Sequence, residues 1–199
     1  MPHHPIHAAR MQACGAARSH YNRGTMGDRA VFLDRDGVLM RDSNYVGHVD
    51  RVEVIDGAPQ ALRRLREAGF RLFVVTNQSG VGRGYFTREA VEEIHALLDS
   101  HFAKMIDRYY VCPHHPEDNC DCRKPKPRFL HAAAREFGLD LPRCFMIGDR
   151  PSDVQCGLNA GTKTILVLTG AGPESRGEIV PDQVVDNIGA AADWILSQP

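Results

Sequence analysis

Asp34 and Asp36 stand one residue apart at the end of an apolar run, Ala30-Val31-Phe32-Leu33, with Gly37 behind them. Two carboxylates this close repel each other unless a cation sits between them. A polar turn with two solvated aspartates would read the same way, so the pair alone decides nothing. Three later apolar runs end in comparable chemistry. Residues 70–75 lead into Thr76-Asn77-Gln78-Ser79, residues 109–111 into a loop that reaches Arg123-Lys124, and residues 144–147 into Gly148-Asp149-Arg150. Three carboxylates, a hydroxyl and a lysine suit Mg²⁺-assisted phosphoryl transfer. The hard ion takes oxygen ligands, and with Lys124 it screens an anionic phosphate from an attacking carboxylate. A second carboxylate can protonate the departing oxygen and later activate water.

A different chemistry is written in Cys112-Pro113-His114-His115-Pro116-Glu117-Asp118-Asn119-Cys120-Asp121-Cys122. Cys112, His114, Cys120 and Cys122 can close a tetrahedral Zn²⁺ site with no open position, which is the signature of a structural ion. His114 is the ligand by spacing and His115 the second choice. A Cys120–Cys122 disulfide or free thiols is the rival. A metal here would pin an irregular loop just before Arg123 and Lys124.

The elements that must position these residues follow from the hydrophobic pattern. Strands are expected at residues 29–33, 70–75, 109–111, 144–147, 164–168 and 184–185. Between them, helices are expected from Pro59 to Gly69, after a Thr87 cap, over 128–137, from a Ser152 cap to Gly161, and around Trp194. Residues 37–57 read as irregular. Strands that are continuous apolar runs alternating with helices give an α/β fold: a Rossmann-like parallel sheet covered on both faces. All strand carboxyl ends then share one rim, where Asp34, Asp36, Thr76, Lys124 and Asp149 converge. The intervals between them hold a loop, a helix and the metal loop but no inserted domain, so no cap domain is expected.

Composition fits this reading. The 199 residues are 43% hydrophobic and 25% charged, with net charge −1. That balance gives no support for general nucleic-acid binding, and no apolar run approaches the ~20 residues of a membrane span. Residues 1–27 carry Arg10, Arg18, Arg23 and four histidines but no acid. They read first as a disordered tail, with a transit peptide or an overextended start before Met26 as rivals, leaving 28–199 as one domain. Cys144 and Cys156 lie in apolar segments and read as small buried hydrophobes, so six cysteines make no disulfide scaffold. A reducing, cytoplasmic setting and a monomer are expected.

Leu33-Asp34-Arg35-Asp36-Gly37, Thr76-Asn77-Gln78-Ser79, Lys124 and Gly148-Asp149 with Asp153 resemble the four ordered motifs of the haloacid dehalogenase superfamily. The resemblance implies Asp34 as nucleophile and Asp36 as general acid/base. It implies Mg²⁺ on Asp34, the Asp36 carbonyl and Asp149, with Thr76 and Lys124 on the phosphoryl group. Asp153 reads as a helix first-turn acid or as a residue behind the metal ligands, the former preferred. The zinc loop narrows the resemblance to heptose 1,7-bisphosphate 7-phosphatases and histidinol-phosphate phosphatases. Asp42-Ser43-Asn44-Tyr45-Val46 and the extended run from Thr76 to Gly84 resemble the heptose enzymes' substrate loop and second motif. Arg150 and the short His114–Cys120 spacing resemble the histidinol enzymes. A distal anionic group would need Arg83, Arg123 or Arg150. A zinc-stabilised binding protein without catalysis, and a phosphotransferase, are the alternatives from other classes.

Overall fold

The computed structural model describes residues 28–199. The tail, residues 1–27, lies outside the described residues. Six parallel strands form one sheet: β1 (Ala30–Leu33), β2 (Arg71–Asn77), β3 (Arg108–Cys112), β4 (Phe145–Gly148), β5 (Lys163–Val167) and β6 (Gln183–Val185). Their order is β3-β2-β1-β4-β5-β6, with β1 paired to β2 on one side and β4 on the other. The chain therefore builds outward from β1 in one direction, returns, and builds outward in the other. The reversal lies between β1 and β4, where open α/β sheets leave a crevice beyond the strand ends.

Both faces are covered because alternate residues of each strand need burial. On β1, Val31 and Leu33 enter one apolar cluster, with the helices α1 (Ala58–Glu67), α3 (Arg88–His101) and α7 (Ile188–Leu196). Ala30 and Phe32 enter the other, against α4 (Arg128–Phe137) and α5 (Pro151–Ala160). Each such Leu, Phe or Ile that is fully buried contributes about 1.5–3 kcal/mol by removal from water. Cys144 and Cys156 sit in the second cluster, as small buried hydrophobes. Two short helices had no readable period in four residues each: α2 (Ser79–Gly82) and α6 (Gly172–Ser175).

Residues 37–57 are irregular yet anchored. Val38, Leu39, Met40 and Val46 are buried, and Met40 bridges to both Asp36 and Val54. No cap domain is present among the described residues. No helix among them is long and apolar enough to cross a membrane.

Candidate active site

The rim beyond β1, β2 and β4 holds a cavity of about 300 Å³, lined by Asp34, Asp36, Thr76, Lys124 and Asp153 among others. The cavity is built by strand ends. Leu33 is the last residue of β1 and delivers Asp34, whose backbone N–H donates to the Ile147 carbonyl of β4 at 2.9 Å. Gly148 ends β4 and delivers Asp149. Gly37 takes φ +82°, and a Cβ there would collide with the Asp149 carboxylate, so only glycine lets this turn approach so closely.

Lys124 is 3% exposed, and its ammonium lies 2.8 Å from Asp34 Oδ1 and 2.7 Å from Asp153 Oδ1 while donating to the Val75 carbonyl at 2.7 Å. Burial alone would lower its pKa, but Asp153 and Asp34 outweigh that and hold it charged. Asp34 responds oppositely. Burial pushes its carboxyl well above the ordinary range, with Asp153, Asp149 and Asp36 adding to the effect and Lys124 opposing it. Asp149 is pushed up to about 6, by burial first and then by Asp153.

One lysine thus faces more buried negative charge than it can offset. The carboxylates of Asp34, Asp149 and Asp153 lie within 4.8 Å of one another. Asp149 Oδ2 accepts from the Ala171 N–H at 2.8 Å, whereas its buried Oδ1 has no partner. An oxygen donor set with an unused lone pair fits a hard divalent cation.

Two residues of the Thr76 run are positioning groups by geometry. Asn77 clamps the Lys124 main chain, its Oδ1 accepting from Lys124 N at 3.1 Å and its Nδ2 donating to Lys124 O at 3.2 Å. Gln78 Nε2 donates to Asp36 Oδ2 and to Thr76 Oγ1, each at 2.8 Å. Ser79, at the start of α2, lines the cavity with both.

The mouth is formed by residues 42–46 and by Arg123 and Arg150. Asn44 and Tyr45 take positive φ of 53° and 51°, and Arg51 gathers the carbonyls of Ser43, Asn44 and Tyr45 at 2.6–3.4 Å. Arg150 Nη2 donates to Asp42 Oδ2 at 2.7 Å across the opening. Arg123 Nη1 is buried without a partner, which leaves a cationic donor available at the cavity. Arg83 caps the C-terminal end of α2, exposed and not among the residues that line the cavity.

One expectation needs correction. Helix α5 starts at Pro151, capped from Arg150 rather than Ser152, because Asp153 accepts from the Arg150 N–H at 3.0 Å. Asp153 is accordingly the first-turn acid that the pattern suggested, but its other oxygen also meets Lys124. Sequence reasoning passed over Arg35 entirely: it is fully buried and pairs with Asp36. A lone arginine between two acids carries no period that would mark it as internal.

In the cysteine loop, Cys112 Sγ lies 3.5 Å from Cys120 Sγ and 3.7 Å from His114 Nδ1. Cys122 Sγ lies 3.6 Å from Cys120 Sγ and 3.2 Å from His114 Nδ1. Tetrahedral bonds of ~2.3 Å give ligand–ligand edges of about 3.7 Å, whereas a disulfide needs ~2.05 Å. The spacing fits four ligands around one ion, and the cysteines are unbonded. Burial pushes the Cys112 thiol up to about 12, so a metal ion would have to displace its proton. His115 is engaged elsewhere, accepting from Glu117 N at 3.3 Å. The loop docks on α2 at Gly82, where a Cβ would collide with the His115 backbone. Gln78 N also donates to the Cys112 carbonyl at 2.7 Å.

Comparison with known proteins agrees with this architecture. Residues 31–100 match the family model of haloacid dehalogenase-like hydrolases, and residues 121–191 match a HAD-hydrolase-like model. The D-glycero-beta-D-manno-heptose-1,7-bisphosphate 7-phosphatase of Haemophilus influenzae is 40% identical over 81% of this chain and 93% of its own. The enzyme of that name from Escherichia coli K12 is 41% identical over 84% and 88%. A crystal structure of D,D-heptose 1,7-bisphosphate phosphatase from B. bronchiseptica, complexed with magnesium and phosphate, superposes with TM-score 0.81. It is 34% identical, over 86% of this chain and 99% of that one. Identity at this level, across most of both chains and on one shared fold, means that this chain belongs to the haloacid dehalogenase-like hydrolases and is one of their phosphatases.

Proposed function

We propose that the protein removes the 7-phosphate of D-glycero-D-manno-heptose 1,7-bisphosphate through a phosphoryl-aspartate on Asp34. The observation that carries this is the buried set of Asp34, Lys124, Asp149 and Asp153 at the sheet's switch point. Heptose specificity is supported by relatives near 40% identity that bear that name over most of their length.

Lys124 and the Arg35 N–H both engage Asp34 Oδ1, so Oδ2 is the oxygen that faces phosphorus. Its lone pair forms the new O–P bond while the sugar O–P bond breaks. The electron pair leaves on the sugar oxygen, which takes a proton from Asp36. Water then attacks phosphorus, Asp36 takes its proton, and the Asp34–phosphorus bond breaks. Thr76 Oγ1 donates to a phosphoryl oxygen, and the Lys124 ammonium, its three N–H groups given to Asp34, Asp153 and Val75, supplies positive charge beside the phosphoryl group. Mg²⁺, held by Asp34, Asp149 and the Asp36 carbonyl, would supply positive charge against the transferring group. Zn²⁺ on Cys112, His114, Cys120 and Cys122 would hold the loop that carries Arg123 and Lys124. Arg123 and Arg150 take the substrate's second anionic group, and Asp42, Asn44 and Tyr45 face its sugar. A cytoplasmic setting is part of the proposal, supported by five cysteines left unpaired among the described residues, and a monomer is proposed with it.

Histidinol phosphate is the second reading, favoured by Arg150, whose fork suits a single phosphate equally well. Turnover of the two substrates separates them. Heptose 1,7-bisphosphate is expected to have at least about tenfold the kcat/KM of histidinol phosphate, a difference of ~1.4 kcal/mol. The reverse preference overturns the assignment. Asp34→Asn is expected to lower kcat by at least about 10³-fold with the circular dichroism spectrum retained. Undiminished turnover in that variant refutes the covalent mechanism.

A further inference from the structure

Arg35 is the largest fully buried side chain in the described residues, and burying a guanidinium is costly unless its donors are satisfied. Its Nε donates to Asp36 Oδ2 and its Nη2 to Asp36 Oδ1, both at 3.0 Å. Gln78 Nε2 adds a third donor to Oδ2 at 2.8 Å. Nη1 has no partner. Behind the fork His95 is buried and stacks on Tyr109 at 4.2 Å, while Tyr109 donates to Asp99 at 2.7 Å. Burial pushes His95 down to about 3, with the Arg35 charge adding to it, so the imidazole is neutral and brings no second charge to this wall.

A fork on both oxygens defines the plane of the Asp36 carboxyl group. A guanidinium only donates and has no lone pair to receive a proton. Any proton carried by Asp36 is therefore turned away from the wall and toward the cavity that Asp36 lines. Gln78 strengthens this by tying the same oxygen to Thr76 Oγ1, which the proposed mechanism sets on the phosphoryl group.

We infer that Arg35 is a positioning residue for proton transfer: with Gln78, its fork aims the Asp36 carboxyl at the leaving-group oxygen. The inference rests on Asp36 being the general acid, as proposed above. The proton travels from Asp36 to the oxygen whose bond to phosphorus breaks, and in the second half-reaction returns from the attacking water.

The test compares leaving groups in single-turnover experiments on Arg35→Lys, which keeps the charge and loses the fork. Heptose 1,7-bisphosphate expels an alkoxide that needs a proton, whereas p-nitrophenyl phosphate expels a stable anion that does not. Arg35→Lys is expected to slow the alkyl phosphate about 10²-fold, within the range for general acid catalysis, and to leave the nitrophenolate burst within about threefold. In an Asp36→Asn background the same change is expected to add less than about threefold. Equal losses on both substrates, or additive losses in the double variant, overturn the inference. Should Arg35→Lys fail to fold, Arg35→Gln, which keeps a donor but loses the fork, is held to the same leaving-group criterion. If Asp36→Asn itself shows no leaving-group dependence, the general-acid assignment fails instead. If the wild type does not turn over the heptose, histidinol phosphate serves as the alkyl phosphate.

Discussion

The acid rim and the cysteine loop reach order by opposite routes. At the rim, Asp34, Thr76 and Asp149 are placed by strand ends whose side chains are fully committed to two apolar clusters, so their geometry exists before any ion binds. In the loop, residues 113–123 have one short 3₁₀ turn and expose most of their polar groups to water. Four ligand atoms and a few contacts to α2 and Asn77 hold its shape. On the proposed reading the rim would use Mg²⁺ for chemistry on a prepared scaffold, whereas the loop would use Zn²⁺ as scaffold. Lys124 belongs to both, since its chain lies in the loop and its ammonium in the rim.

Lys124→Met is the sharpest way to break that arrangement. Removing the cation leaves Asp34 and Asp153 buried without it, a loss of about 3–5 kcal/mol in metal-free protein at neutral pH. Urea unfolding measures it, and added Mg²⁺ is expected to recover part of the loss. An unchanged midpoint contradicts the charge argument.

Stripping the proposed Zn²⁺ with a chelator should act on the other region. Hydrogen exchange is expected to quicken across residues 112–123 while β1 and β4 keep their protection, with activity down about 10–100-fold. Uniform loss of protection across the sheet would mean that the loop is part of the global fold.

The rim's response to pH is smaller. Asp149 has a folded pKa of about 6 against an ordinary 3.8. Between roughly pH 4 and 6 the folded, metal-free chain keeps a proton that the unfolded chain has released. Its contribution to stability is therefore greatest at low pH and falls as pH rises through 6. Mg²⁺ must expel that proton, so Mg²⁺ affinity is expected to drop by up to about tenfold per unit below pH 6. Calorimetric titrations in two buffers of different ionisation enthalpy would reveal the released proton.

The smallest effect is expected from Arg150→Ala. Its half-exposed pair with Asp42 is worth under about 1 kcal/mol to stability. A raised KM with kcat within about threefold would place Arg150 in ground-state binding, and the reverse split would place it in the transition state.

Much of the rim was legible because its information is local. An apolar run followed by an acid states both the strand and the position of the acid, and the parallel order brings the ends together. The cysteine loop was legible through ligand spacing alone. Contacts made by side chains without periodicity were not. Asn77 reads as one more polar residue after a strand, yet it fastens Lys124 from 47 positions away. Arg35 lies between two acids that dominate any reading of the segment. Asp153 offered two readings, a first-turn acid or a residue behind the metal ligands, and its two oxygens serve both, one capping α5 and the other meeting Lys124. Helices α2 and α6 are shorter than the two turns a hydrophobic stripe needs to be recognised.

With Arg150 on the substrate's second anionic group, as proposed above, the Asp42–Arg150 contact across the mouth would give turnover a built-in reset. An incoming anion exchanges with a carboxylate already in place, so entry swaps one pairing for another instead of neutralising a bare charge. When the dephosphorylated sugar departs with its remaining anionic group, Asp42 would be at hand to reclaim the arginine. The doorway keeps its own placeholder, which shortens the stay of product as well as substrate.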